Sequence, residues 1–322
     1  MPLMLSIYLE NNNPFFCLAA EEYLLKNFSE DIFMIWQSEK TVVVGKHQNI
    51  MEEVNLKYVR DNAISIARRI SGGGTVFHDR GNVNFTFIKN VASPSEISFT
   101  KFTQPIVEAL AVLGVNASTS GRNDLVVNGL KISGNAEHVY KNRVLHHGTL
   151  LFNSGLAVLG NAIKADTGKY KSKAVQSNRS PVANISDFLS EPMQIEEFIR
   201  FLLDSQLGKT ENKPLVLTEE DIKNINELAE SKFATWDWIW GYSPKYSFSN
   251  KKTKQGKTLD IKLFVSKGIV QEASIGGTLF DNATSRKLEK SLIGCRHSYD
   301  DIRHMLLAVD KTITSQWIEV FF

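Results

Sequence analysis

Apolar residues recur along this chain with two periods, and the switches between them mark its elements. Phe15, Leu18, Ala19 and Leu25 follow helical spacing behind Asn13-Pro14. That pair supplies an N-cap acceptor and a proline at the first helical position, so a helix is predicted up to Asn27. Stretches 32–36 and 41–44 read as strands joined by a hairpin turn at Gln37-Ser38-Glu39-Lys40. Ile64-Ser65-Ile66-Ala67 and Val83-Asn84-Phe85-Thr86-Phe87-Ile88 alternate as two further strands. Helices are predicted over 104–113, ending at Gly114, over 194–207 and over 218–232. Beyond 245 the character changes. Tyr246 to Lys252 is polar and turn-rich, 258–265 and 268–275 alternate as a hairpin, and a helical segment follows. A catalytic-size domain over 1–245, a linker over 246–249 and a smaller domain over 250–322 are expected.

The run Arg68-Arg69-Ile70-Ser71-Gly72-Gly73-Gly74-Thr75-Val76-Phe77-His78-Asp79 lies between two of these strands, at a sheet end. Three consecutive glycines forfeit packing and cost backbone entropy, so they are tolerated where a tight turn or a close ligand needs them. Their N–H groups can form a nest for phosphate oxygens, and Arg69 adds a planar cationic fork suited to phosphate or carboxylate. The stretch reads as an anion cradle.

In Gly121-Arg122-Asn123-Asp124-Leu125-Val126-Val127-Asn128-Gly129-Leu130-Lys131-Ile132-Ser133-Gly134, an Asn-Gly pair separates two alternating arms, the strongest short-range hairpin signal. A two-residue turn pairs Val127 with Leu130, Val126 with Lys131, Leu125 with Ile132 and Asp124 with Ser133. Leu125, Val127, Leu130 and Ile132 then share a core face, and Asp124, Lys131 and Ser133 share the polar one. Asp124 and Lys131 become diagonal neighbours about 7–8 Å apart at Cβ. Such a gap suits a phosphate with a cation, with Lys131 supplying positive charge and Asp124 an oxygen ligand of the kind Mg²⁺ prefers. Taken alone, the hairpin fits a solvated face carrying one diagonal salt bridge better. His146-His147-Gly148-Thr149 leads into an apolar strand, and adjacent strand residues face opposite ways, so the two histidines are not expected in one pocket. Trp36, closing an apolar strand, reads first as core.

Composition narrows the class. At 322 residues, one large domain with a small one is the natural division. Apolar residues make up 43% and charged ones 22%, as in soluble globular proteins, and no apolar run is long enough to cross a bilayer. Residues 1–10 lack a secretory pattern, so the cytoplasm is the expected compartment and no membrane partner is expected. Cys17 and Cys295 are far apart and lack metal-ligand spacing, as packed thiols would be. A net charge of +2 gives no reason to expect nucleic acid, although the basic run 164–173 suits an acidic partner.

With the glycine loop, the Gly-Arg-Asn-Asp hairpin and the His-His-Gly-Thr strand in this order, the chain resembles the bacterial lipoate-protein ligase A family, from about Asn13 to Asn184 and more weakly through Trp236-Asp237-Trp238. The resemblance implies an α/β fold: a mixed-sheet biotin/lipoate ligase-like catalytic domain, related to class II synthetases, followed by a small α+β accessory domain. It implies two steps. Lipoate (or octanoate) and ATP with Mg²⁺ give an acyl-adenylate and pyrophosphate, and a lysine of a lipoyl-domain protein then attacks the mixed anhydride. The implied acceptors are the E2 subunits of 2-oxo acid dehydrogenases and the glycine cleavage H protein. Carried over by motif, ATP would meet Arg69, Gly74, Thr75, Val76, Phe77, Asn123, Asp124 and Lys131, with Asp124 on the metal side. Lipoate would meet Trp36, Arg69, Ser71, Gly72, Gly73, His78, Lys131 and His147. Lys131 is the implied catalytic residue, touching both the lipoate carboxylate and the α-phosphate.

Two positions depart from the family pattern, Ile70 for a frequent serine and Thr75 for a frequent alanine, and neither removes a charge. The rivals are an acyl transferase of the same fold, a non-catalytic binder and a biotin ligase. The transferase needs a cysteine nucleophile, and neither cysteine lies in the three motifs. A pure binder has no need of Lys131 and Asp124 together. A biotin ligase would carry an Arg-rich glycine loop in place of Ser-Gly-Gly-Gly.

Overall fold

Strand β1, Met4–Leu9, pairs in parallel with β2, Asp31–Trp36, and from β2 onward the largest sheet runs antiparallel. In the computed structural model, which describes residues 4–93, 97–121, 123–163, 167–207 and 212–322, the named strands form three sheets. The largest also contains β6 (Asn82–Asn90), β7 (Ser118–Ser120), β8 (Asp124–Val127), β9 (Leu130–Tyr140), β10 (Arg143–Leu151) and β12 (Asn212–Pro214), in the order β12-β1-β2-β6-β10-β9-β8-β7. A three-stranded sheet has β3 (Thr41–Val44) between β4 (Ser65–Arg68), parallel to it, and β5 (Val76–His78), antiparallel to it. The third sheet is antiparallel: β11 (Tyr170–Ser172), β13 (Tyr246–Lys254), β14 (Lys257–Ser266) and β15 (Ile269–Gly277). Arg122 and residues 164–166 of the basic run lie outside the described residues.

The chain divides into two compact units, and neither is continuous in sequence. One comprises Met1–Lys46, Ala63–Ile163 and Ser177–Thr235; the other comprises His47–Asn62, Lys164–Gln176 and Trp236–Phe322. In the first unit, strand alternation separates two faces of the large sheet. Val83, Phe85 and Phe87 of β6 join a core with Phe102, Ile106 and Leu110 of helix Phe99–Val112 and Phe198 and Leu202 of helix Ile195–Leu207. The intervening Thr86 points the other way, to Glu21 on helix Pro14–Asn27. That helix starts as predicted, with Asn13 Oδ1 accepting from the N–H groups of Phe15 and Phe16.

In the second unit, Tyr246, Phe248, Leu259, Ile261 and Val265 pack with Leu288, Leu292, Ile302, Leu306, Trp317 and Phe321, and the core is completed by Met51 and Tyr170 from its two outlying segments. His297 is buried among them. Its Nδ1 accepts from the Tyr246 hydroxyl at 2.7 Å and its Nε2 donates to the Phe321 carbonyl at 2.7 Å. Burial pulls its pKa down to about 4.

Several expectations need correction. Residues 37–40 do not close a hairpin, because β2 and β3 belong to different sheets. The Glu39 N–H goes to the Asn12 carbonyl, and the Gln37 side chain donates to the Arg80 carbonyl, so the segment hands the chain from one sheet to the other. The expected linker 246–249 is the start of β13: Tyr246 and Phe248 are buried while Ser247 and Ser249 face out, a period-two pattern hidden by its polar half. Residues 47–62 and 164–176 group with the C-terminal stretch rather than with the rest of 1–245. The helix expected from 104 begins at Phe99 and carries Pro105 inside it. Among the described residues, no helix is long and apolar enough to cross a membrane.

Candidate active site

The glycine loop leaves β4 and returns as β5, a three-residue strand the sequence pattern did not separate from the loop. Its shape is set by Arg69. The Nη2 group donates to the carbonyls of Gly72 and Gly74, both at 2.6 Å, Nε donates to Ser71 Oγ at 3.0 Å, and Nη1 donates to the Val43 carbonyl at 3.2 Å. The loop is therefore wound around its own arginine, whose fork is committed to main-chain oxygen rather than held out for a ligand. Burial lowers the Arg69 pKa to about 10, against an opposing pull from the Glu21 carboxylate. Gly73 has φ +82°, and a Cβ there would lie 3.2 Å from Arg69 Nη2. Past the glycines, the Thr75 N–H donates to Ser177 Oγ at 2.8 Å.

The Asn-Gly hairpin forms with Asn128 at φ 51° and Gly129 at φ 78°, the left-handed pair this turn requires. Val127 faces Leu130 and Val126 faces Lys131 as predicted, but an irregularity between Leu125 and Val126 shifts the remaining pairs to Leu125 with Ser133 and Asp124 with Gly134. Such a bulge re-aims side chains locally. Lys131 Nζ sits 2.8 Å from Asp124 Oδ1, and each side chain keeps about a fifth of its surface exposed, 22% and 20%. The diagonal salt bridge considered from the sequence is thus present. On its other edge Lys131 is pinned by main-chain bonds, its N–H to the Pro181 carbonyl and its carbonyl from the Ala183 N–H. Asn123 does structural work: its amide donates to the Asn135 carbonyl at 2.9 Å while the Asn135 amide donates back to the Asn123 carbonyl at 3.0 Å.

Lys131, Thr75, Val76 and Phe77 border a common cavity of about 260 Å³, walled by Leu156, Leu159 and Ile163 and by 177–182. Asp124 is not on the wall of this cavity and is linked to it by its ion pair with Lys131. Trp36, Ser71, His78 and His147 form a separate cluster. The Trp36 and His78 rings meet edge-on at 5.4 Å. The His78 Nδ1 is buried without a partner, and burial, then Arg69 and then His147, lowers its pKa to about 3. His147 Nε2 is 2.6 Å from Ser71 Oγ, and its Nδ1 is 2.8 and 3.0 Å from the two Glu21 oxygens. His146 points into the opposite core, stacked on Phe102 at 4.9 Å and bonded to Glu137 and Asn135. The structure thereby separates the two histidines: His147 is the one beside Ser71.

The sequence reading passed over Glu21, Thr86 and Ser177. A signal existed for Glu21, since a carboxylate at helical spacing from Leu18 and Leu25 falls on the apolar stripe, where an unpaired charge is costly. Cys17 is fully buried, its thiol donating to the Asn11 carbonyl at 3.0 Å and its pKa pushed up by burial, so it is no ready nucleophile. Among the described residues, no group of three or more His, Cys, Asp or Glu side chains is arranged to hold a metal.

The family model described as "Lipoyl protein ligase A/B catalytic domain" matches residues 13–206, and "Bacterial lipoate protein ligase C-terminus" matches residues 243–320. The chain is 44% identical to lipoate-protein ligase 1 of Staphylococcus aureus over 94% of each chain, and 39% identical to a lipoate-protein ligase of Bacillus subtilis over 93% of this chain and 92% of that one. Among solved structures, a putative lipoate protein ligase of T. acidophilum with bound lipoic acid is 26% identical, covers 75% of this chain and 99% of its own, and superposes with a TM-score of 0.64. A bipartite ligase from Thermoplasma acidophilum, described with its E2 lipoyl domain, is 26% identical over 75% and 96% with a TM-score of 0.63. A lipoate-protein ligase A bound with ATP is 25% identical over 75% and 99% with a TM-score of 0.64. Matched in both regions, and over nearly its whole length by the bacterial relatives, the chain belongs to the lipoate-protein ligase family and is an enzyme of mixed α/β fold.

Proposed function

We propose that this chain joins lipoate to ATP, forming lipoyl-adenylate and pyrophosphate, and then passes the lipoyl group to a lysine of a lipoyl-domain protein. The observation that carries this reading is the position of Lys131, an ammonium with a carboxylate 2.8 Å away at the edge of a cavity bordered by the strand that follows the glycine loop. The bound ATP and lipoic acid named for the two solved relatives support the choice of substrates.

Adenylation brings a carboxylate to an α-phosphorus, two anions that repel. A fixed cation between them lowers that repulsion and neutralises charge that grows on the phosphoryl oxygens in the transition state. Lys131 suits this role because its backbone N–H and carbonyl are both held by residues 181–183 while its side chain remains partly exposed. It acts by charge and by orienting the reactants, and needs no covalent intermediate. Asp124 holds the ammonium in place beforehand, and once phosphate competes for Lys131 its carboxylate is released.

Mg²⁺ is ordinarily held by one or two carboxylates together with substrate phosphates and water. A lone Asp124 beside the cavity, without a three-donor cluster among the described residues, fits a cation delivered with the nucleotide rather than one resident in the protein. Bound there, it would neutralise the leaving pyrophosphate.

On this reading, Thr75, Val76 and Phe77 meet the nucleotide, and Trp36, Ser71, His78 and His147 lie on the lipoyl side. Gly72, Gly73 and Gly74 lie between, held by Arg69 from behind. E2 subunits of 2-oxo acid dehydrogenases and the glycine cleavage H protein are the proposed acceptors, and the E2 lipoyl domain named with the T. acidophilum ligase supports the first. Purified protein incubated with ATP, Mg²⁺ and lipoate but no acceptor is expected to release pyrophosphate and accumulate lipoyl-adenylate. Absence of both, with lipoyl transfer from a carrier protein instead, overturns the proposal.

A further inference from the structure

Six buried side chains form one hydrogen-bonded line from Trp36 to Arg69, and all are 7% exposed or less. Both ends can only donate. The indole N–H of Trp36 donates to Thr86 Oγ1 at 3.1 Å, so the Thr86 hydroxyl proton is left for Glu21 Oε1 at 2.6 Å. At the other end, Nε of Arg69 donates to Ser71 Oγ at 3.0 Å, and the Ser71 proton is left for His147 Nε2 at 2.6 Å. An Nε2 that accepts places the ring proton on Nδ1, which then donates to the Glu21 carboxylate at 2.8 and 3.0 Å. Every proton in the line points toward Glu21, the one member that can only accept.

We propose that Glu21 is a positioning residue that sets the glycine loop in register with Trp36. One arm reaches through Thr86 and fixes the indole. The other reaches through His147 and Ser71 to Arg69, and Arg69 holds the carbonyls of Gly72 and Gly74. The wall and the loop on the lipoyl side are thus referred to a single carboxylate on helix Pro14–Asn27. This inference rests on the reading above that the acyl chain lies against these residues.

Both arms end on one oxygen: Thr86 donates to Glu21 Oε1, and His147 Nδ1 lies nearest the same atom, at 2.8 Å against 3.0 Å to Oε2. Glutamine with its carbonyl at that position keeps both bonds. Leucine, of similar size, removes the acceptor from both arms at once, leaving the Thr86 hydroxyl and the His147 Nδ1 proton unsatisfied.

The experiment uses full-length protein carrying ¹⁵N-labelled histidine, with the His147 signal assigned by its loss in His147→Asn. In wild type the shifts should report the proton on Nδ1. In Glu21→Leu the tautomer should change and the Trp36 fluorescence should shift, while the apparent KM for lipoate in adenylate formation rises roughly tenfold and that for ATP stays within about twofold; Glu21→Gln should restore the wild-type tautomer and emission. In Glu21→Leu an unchanged tautomer or unchanged indole emission overturns the proposal, as does an equal rise in both KM values. If Glu21→Leu does not fold, Thr86→Val tests the same line: it should shift Trp36 emission and leave His147 as in wild type, and a changed His147 tautomer or unaltered emission overturns it. The tautomer and emission results stand even if wild type makes no adenylate, a failure that would count against the proposed reaction alone.

Discussion

Lys131 and Asp124 meet at 2.8 Å across a bulged hairpin, and Lys131 lines the same cavity as Thr75, Val76 and Phe77. The pair is half-screened, so it contributes little to stability and much to the local field. Lys131→Ala is expected to leave the unfolding free energy within about 1 kcal/mol of wild type. Adenylate formation should fall on the order of 10²-fold or more, because the lost cation acts where charge develops. Pyrophosphate release measured without acceptor checks this, and a rate within about threefold of wild type would count against the role of Lys131 in adenylation.

The three glycines of the loop are not equivalent. Gly73 is left-handed at φ +82°, with Arg69 Nη2 3.2 Å from where a Cβ would go, while a Cβ at Gly72 would meet nothing within 4 Å. Gly73→Ala should therefore cost about 1–2 kcal/mol from backbone strain alone, and Gly72→Ala should be nearly neutral. Chemical denaturation of the two variants side by side tests the contrast, and equal midpoints would show the loop to be lax.

Acid should weaken the fold through histidines that are buried neutral. His297 has its pKa lowered to about 4 and His78 to about 3, both chiefly by burial. Between these values and the unfolded value near 6.5 the unfolded chain binds more protons, so stability is complete above about pH 6.5 and declines as pH falls toward 4. For His297 the loss is on the order of 3 kcal/mol. His297→Gln should flatten that part of the stability–pH curve, and denaturant midpoints from pH 7.5 down to 4.5 would reveal it. A curve as steep in the variant as in wild type would assign the acid lability elsewhere.

A chain ending after Pro244 should not leave a clean large domain. Met51 and Tyr170 lie in the core otherwise built from 246–321, and the truncation strips that core away. Increased binding of a hydrophobic dye and early proteolysis within 47–62 or 167–176 are expected. A truncated chain that resists protease and binds no dye would show that these segments find other cover.

Local chemistry carried much of this architecture into the sequence. The Asn13 cap, the Asn128-Gly129 turn and the alternation of β6 each follow from a few adjacent residues, and each formed where the pattern placed it. Features set by distant partners could not be read in that way. The β8–β9 bulge changes which residues face one another without altering the order of apolar and polar positions, so no periodicity betrays it. The Arg69 fork suggested a ligand because its partners, the carbonyls of its own loop, carry no side-chain signal. β13 was missed because its outward half is serine and lysine. Glu21 is the instructive case: its partner His147 is far away in sequence, and only the oddity of a carboxylate on an apolar stripe hinted at the pairing.

The discontinuity of the second unit also orders events during synthesis. Met51 emerges early and Tyr170 later, yet the Trp317 and Phe321 that fill the same core come near the far end of the chain. At a synthesis rate on the order of ten residues per second, Met51 waits on the order of tens of seconds for them. Through that interval an apolar side chain without its neighbours is available to bind chaperones or other nascent chains, so the yield of folded enzyme should depend on how quickly translation reaches its last hundred codons or so.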